Sequence, residues 1–378
     1  MANTLNNLIP DLYAALDKVS RELVGFIPAV GRNSGAGRAS VGENVRVPIT
    51  PTGNVADITP AMTSPNPTDQ TISNVAIQIT KARAAEFGFV GEEQRGLNNG
   101  PGYMSVQANM ILQAMRKLVN EVESDVAATY FAGSRAYGTA GTTPFASDLS
   151  DTAQLHKILA DNGAPLTDKQ LIIGTTAGAK FRTLTQLTKA NENGSADILR
   201  NGVLMDVHGF QIRESAQIKS HTKGTGSGYL VNNGAGYAEG STSIAVDTGT
   251  GTIKAGDVVT FAGDTNKYLV AADLSGGVLT LAAPGLRQTL ADNVAITVGN
   301  SYTANVAFDR EAIQLVTRAP ALPQEGDMAI DRMTITDPAS GLAFEVSIYP
   351  GYRKVRYEIA LAWGVKNIKP EHTAVLLG

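Results

Sequence analysis

The sequence predicts an α+β protein of several packing units, richer in short strands than in helices, with a small antiparallel β-barrel inserted in its second half. Three observations carry this reading. The chain has 378 residues, more than the roughly 250–300 that one hydrophobic core serves. Its 39 glycines and 16 prolines fall between apolar runs, which punctuates a chain into many turns and short elements. Residues 222–303 then shift to glycine, threonine and valine, with strand patterns at Ile244 to Val246, Val258 to Phe261, Lys267 to Val270, Val278 to Leu281 and Val294 to Val298. Turn signals separate these strands at near-regular intervals, as in a small barrel.

Composition narrows the function. Apolar residues make up 43% of the chain and charged residues 17%, enough to build cores and too little charge for disorder. A net charge of −4 disfavours tight general binding to phosphate backbones, although a weakly acidic wall is compatible with enclosing DNA without gripping it. The absence of cysteine removes disulfides, thiolate nucleophiles and cysteine metal sites. No stretch reaches the ~18 apolar residues of a membrane helix, and the first residues lack a signal-peptide pattern. The expected compartment is therefore a cytoplasm.

In chain order, Leu12, Leu16, Val19, Leu23 and Phe26 recur at helical spacing after Pro10, opposite Asp11, Asp17, Lys18, Arg21 and Glu22. That is an amphipathic helix. The glycine run Gly31 to Gly37 reads as a flexible tether behind it, so the helix must bury its stripe elsewhere, on its own body or on a neighbour. Alternation around Val45, Val47 and Ile49, and again around Ile72, Val75, Ile77 and Ile79, predicts two strands joined by a proline- and threonine-rich stretch. This is a long projecting hairpin, marginal by itself. Residues 102–132 carry the longest helical stripe, Met104, Ala108, Ile111, Met115, Leu118, Val122 and Val126, a strut of about 45 Å. An α/β segment follows, with helices around Leu155 to Ala160 and Lys180 to Leu187 flanking a strand from Gln170 to Gly174. Near the C-terminus, Val355, Tyr357, Ile359 and Leu361 alternate with Lys354, Arg356 and Glu358, giving one buried and one charged face.

No catalytic constellation is assembled. His156, His208, His221 and His372 are scattered without zinc spacing. Gly174 to Lys180 follows a strand and opens a helix but lacks the phosphate-loop spacing. Gly224 to Gly228 lacks a dinucleotide fingerprint, and Asp247 to Gly251 has too few carboxylates for calcium. The chain is expected to be no enzyme, with no catalytic residue, cofactor or metal.

The order of arm, hairpin, strut helix, α/β part and terminal strands resembles the Hong Kong 97 fold of tailed-bacteriophage major capsid (coat) proteins. Leu199 to Ser215 (LRNGVLMDVHGFQIRES) and Ala304 to Pro320 (ANVAFDREAIQLVTRAP) are similar to segments of that family. Asp309 departs from the histidine common there. The ending Glu358 to Leu377 (EIALAWGVKNIKPEHTAVLL) is similar to coat proteins of short-tailed Salmonella-type phages, which carry a barrel insertion beside a segment like Lys254 to Gly263.

The resemblance implies an N-terminal arm over 1–42, an extended hairpin over 43–82 and a peripheral domain over 83–140 and 325–378. It also implies an axial domain over 141–221 and 304–324 and an inserted barrel over 222–303. It implies self-assembly of pentamers and hexamers into an icosahedral shell around double-stranded DNA, with a scaffolding protein and a portal as partners, inside a bacterial host. Subunit contacts are expected at Leu12, Leu16 and Leu23 of the arm, at Glu43 and Asp57 on or near the hairpin, and at Lys354 and Arg356. Two other readings remain: an encapsulin-like compartment of the same fold holding protein cargo, and a carbohydrate-binding or adhesin protein built on the barrel.

Overall fold

The structure is a computed structural model that describes residues 23–49, 57–58, 60, 73–99, 102–189, 202, 204, 206–337 and 340–378. Two sheets organise it. A six-stranded sheet runs in the order Gly31–Ala39, Ile313–Pro320, Lys354–Asn367, Ala343–Gly351, Asp331–Thr336, with Lys81–Val90 also paired to Lys354–Asn367. The helix Tyr103–Ala127 packs against it. Met115, Leu118, Val122 and Val126 meet Phe344, Ile359, Leu361 and Trp363 in the main core. At 25 residues this helix is about 37 Å long. It is shorter than expected because Ala128–Ala132 tightens into a 3-10 turn, and its first turns lie open, with Met104 75% exposed.

The second sheet begins with an α/β unit. Phe210–Glu214, Lys169–Ile173, Tyr302–Asp309 and Thr373–Leu377 lie side by side. Lys169–Ile173 is buried at every position, as a strand covered on both faces must be. Helices Ser150–Asp161 and Thr175–Phe181 bring Leu155, Leu159 and Phe181 into its core. The helix expected through Lys180 to Leu187 is two short ones, Thr175–Phe181 and Thr185–Thr188. The chain passes between the sheets three times, through Tyr103–Ala127 with Ala128–Ala132 and at Arg310–Ala312 and Pro370–His372, which ties the two units together.

Strand Arg135–Tyr137 extends this sheet into the 222–303 segment, pairing parallel with Thr373–Leu377 and antiparallel with Lys267–Ser275. Within that segment, Ser243–Asp247, Val258–Phe261, Lys267–Ser275, Val278–Leu281 and Ile296–Val298 form antiparallel ladders. They enclose a core of their own that includes Val231, Ile244, Phe261, Tyr268, Leu279 and Ile296.

One further expectation is corrected. The glycine run is no tether: Gly31–Ala39 is a strand paired parallel with Ile313–Pro320. A β-carbon on Gly35 would lie 2.9 Å from the Arg318 guanidinium carbon, and without one Arg318 reaches Asn33, donating to its carbonyl at 2.7 Å and its side-chain oxygen at 2.8 Å. Phe26, expected on the arm's stripe, is 1% exposed and stacks on Phe308 at 6.3 Å. The hairpin strands Asn44–Ile49 and Ser73–Gln78 pair antiparallel as a separate ladder, and Ile77 and Ile79 seat its foot against Ala39, Val316 and Ala362. Most of its tip lies outside the described residues, as does the predicted helix before Leu23.

Candidate assembly surface

Of the residues expected at subunit contacts, Leu12 and Leu16 lie outside the described part. Leu23 is 49% exposed, its carbonyl fixed by the Ala216 N–H at 3.1 Å. Glu43 is exposed at the foot of the hairpin, where its carboxylate accepts from the Ser40 N–H at 3.1 Å and its carbonyl from Ile79 at 2.8 Å. Asp57 is exposed beyond the hairpin's first strand. Lys354 stands at the far end of its strand, opposite Gly351, and among the described residues no carboxylate lies within ion-pair distance of it.

Arg356 differs. It pairs with Glu86 at 2.7 Å and Glu358 at 2.9 Å and lies over the Tyr349 ring. Its charge is already engaged within its own chain. The hairpin foot packs where Lys366 donates to the Ala76 carbonyl, so Glu43 and Lys354 sit toward opposite ends of the strand Lys354–Asn367. Glu43 bonds Ile79 beside Thr80, whose N–H meets the Trp363 carbonyl, and the nine residues from Lys354 to Trp363 at 3.4 Å each span about 30 Å. The fold therefore does not bring these carboxylates and cations together within one chain.

The exposed end of the six-stranded sheet presents what periodicity missed. Tyr352, at the turn of the last hairpin, is 91% exposed, and Met328, Ile330 and Met333 are 77%, 67% and 47% exposed. The last three flank or belong to Asp331–Thr336, whose strand pairs on one side only. An outer edge with apolar side chains invites a partner. The edge is braced by Arg332, which ion-pairs with Asp327, and by Arg38, which forks onto Glu345. The signal in sequence was the run Met328 to Met333, whose apolar residues alternate only over a few positions.

Titratable side chains also meet in the interior. His221 bonds to the Tyr130 hydroxyl and to Asp257, each at 2.8 Å, while Tyr302 donates to the Gly256 carbonyl at 2.6 Å. This cluster joins the end of the long helix, the second sheet and the 222–303 segment. Burial raises the Asp257 pKa, but bonds from His221 and the Lys254 and Gly224 N–H groups outweigh it and leave the carboxyl below its ordinary value. Burial, with Lys169 and His208 nearby, lowers His156. Among the described residues no group of three metal-ligating side chains is gathered, and no helix is long and apolar enough to cross a membrane.

No family model and no curated protein matches the sequence. Among solved structures, the chain is similar to one described as the capsid structure of the cyanophage P-SCSP1u, at 12% identity over 100% of this chain and 92% of that one, with a TM-score of 0.52. A structure described as Mycobacterium phage Che8 aligns at 15% identity over 99% and 98% of the two chains, with a TM-score of 0.49. The class is thus one of architecture: a mixed helix-and-sheet chain with the fold of the cyanophage capsid chain. At this identity the likeness is one of fold.

Proposed function

We propose that this chain is the major capsid protein of a tailed phage, a structural subunit that assembles with copies of itself into a shell enclosing double-stranded DNA. The observation that carries the reading is the alignment of the entire chain with a capsid chain. The surface supports it, because an open edge strand, a projecting ladder and an exposed Tyr352 are stabilised by neighbours and are liabilities in a lone globule.

In this reading the fold is of the Hong Kong 97 type, the six-stranded sheet and long helix form the peripheral domain, the α/β unit the axial domain, and residues 222–303 an inserted barrel. The 222–303 segment is the feature that suggests kinship with the Salmonella-type coat proteins. Scaffolding protein and portal are the partners, assembly takes place in the host cytoplasm, and the chain catalyses nothing. Leu12, Leu16, Leu23, Glu43, Asp57, Lys354 and Arg356 serve at or beside subunit contacts, and electrostatic pairing there sets register more than affinity.

Electron microscopy of the purified protein, expressed alone and with its neighbouring genes, tests the reading. Closed shells that package DNA are expected. A monodisperse monomer under all conditions would overturn it, and shells filled with protein would turn it toward the compartment reading.

A further inference from the structure

A pocket of about 410 Å³ opens at the seam between the α/β unit and the 222–303 segment, where the helix Ser150–Asp161 and the strands Arg135–Tyr137 and Lys267–Ser275 meet. Each of these elements delivers one cation to its wall: Lys157, Arg135 and Lys267. Asp161 is the one carboxylate among the lining residues. In a chain of net charge −4, this wall is therefore positive.

Asp161 answers Arg135 and neither lysine. Arg135 is 5% exposed and reaches Asp161 at 3.3 Å and the Asn266 side-chain oxygen at 2.9 Å. Its Nε meets no acceptor among the described residues. The Lys267 ammonium is half-buried and donates to the Gly138 carbonyl. Among the described residues, no carboxylate lies within ion-pair distance of Lys267 or Lys157. Asp264, near Lys267 in sequence, is taken up by the Asn266 amide at 2.7 Å and the Tyr268 hydroxyl at 2.6 Å. Burial accordingly pushes the Lys267 pKa down with no opposing carboxylate.

A cation drawn from water without an anion is unfavourable, and this wall keeps two such cations beside an open space. An ordinary carboxylate would bring one negative charge, whereas a phosphate group carries about −1.5 to −2 at pH 7 and three acceptor oxygens. The second matches two lysines. Ammonium groups bind phosphate as point charges, and the guanidinium of Arg135 holds the floor in place beneath them. Thr139, Gln154 and Thr265 add neutral hydrogen-bonding groups, and the volume lies in the range of small-molecule sites. We propose that this pocket binds a phosphate group, free or carried by a small molecule, between Lys157 and Lys267. This assignment goes beyond the shell reading and stands without it.

Isothermal titration of the full chain with sodium phosphate at pH 7 should give a saturable isotherm with one site per chain. Sodium acetate at matched ionic strength should bind at least about tenfold more weakly, since it forgoes one charge-assisted hydrogen bond. Lys157→Gln and Lys267→Gln should each weaken phosphate binding by a similar factor. Lys157 is exposed on its helix, so Lys157→Gln should melt as the parent does without ligand, and it decides the matter if Lys267→Gln fails to fold. Heats that never saturate, equal affinity for acetate, or unchanged phosphate binding by Lys157→Gln would each overturn the proposal.

Discussion

The Glu123 carboxylate, 0% exposed on the long helix, accepts the backbone N–H of Phe26 at 2.7 Å, ninety-seven residues earlier in the chain. The same group takes the N–H of Gly25 and Ile27 and the Ser215 hydroxyl. A buried carboxylate is tolerable only with such donors around it. One side chain thus fixes where the N-terminal segment joins the body.

Glu123→Ala should lower subunit stability by about 4 kcal/mol, because four buried donors lose their acceptor at once. Glu123→Gln keeps one oxygen and should cost roughly half as much. Chemical denaturation of the isolated subunit measures both, and equal stability of all three proteins would sink the anchoring role.

Lys354→Glu should leave the subunit folded while reducing the yield of shells at low salt, with partial recovery as the ~10 Å screening length shortens. Arg356→Glu is a different experiment: it places three carboxylates together with Glu86 and Glu358, so subunit stability should also fall, by about 0.2–1 kcal/mol. Micrographs across a salt series, beside melting of the subunit, separate the two. Normal shells from Lys354→Glu at low salt would show that this end of the strand meets only water.

Gly364 lies under the hairpin foot, where a β-carbon would stand 2.0 Å from the Gln78 carbonyl oxygen. Backbone cannot step aside as a side chain can, so Gly364→Ala should cost at least about 3 kcal/mol. Gly96 is helical with nothing within 4 Å of the same position, so Gly96→Ala should stabilise by about 0.5 kcal/mol. Denaturation midpoints of both variants check the contrast.

Asp257 titrates below its ordinary value of 3.8 in the folded chain, because the folded state bonds the carboxylate. Its contribution is fully present above that ordinary value and is lost as pH falls through the lowered folded value. Stability should therefore decline in acid below about pH 4. Asp257→Asn should lower stability at neutral pH and flatten that decline. Unfolding measured from pH 7 to pH 2 gives the comparison, and parallel curves would contradict it.

Residues 222–303, expressed alone, should fold cooperatively on their own core, yet unfold at lower denaturant than the same segment in the whole chain. Excision removes the pairing of Lys267 and Tyr268 with Arg135–Tyr137 and uncovers Val258 and Leu269, which pack on Ala136, Tyr302 and Val375. Circular dichroism melts test this; a disordered spectrum without a transition would refute it.

Much of the candidate surface was legible as alternation. Val355, Tyr357 and Ile359 turn inward and Lys354 and Arg356 outward as period two requires. What alternation could not give was the partner of each charge: Arg356 meets Glu86 from a strand 270 residues away. The exposed Tyr352, Met328 and Ile330 were equally hidden, because an apolar residue in a turn reads the same whether buried or presented to a neighbour.

By itself the sequence determined the elements whose patterns are local. The strands Val258–Phe261 and Val278–Leu281, the two hairpin strands and the long amphipathic helix follow from periods of two and 3.6, which depend only on which face of a short segment meets a core. Tertiary structure alone decided that Gly31–Ala39 is a strand, since its glycines have no strand preference and pair because Ile313–Pro320 lies alongside. It alone decided that Arg135–Tyr137 joins the α/β unit to the 222–303 segment, and that Glu123 turns inward to meet Phe26. Each of those outcomes rests on a donor or a ladder supplied from more than ninety residues away, and no local pattern encodes a partner at that distance.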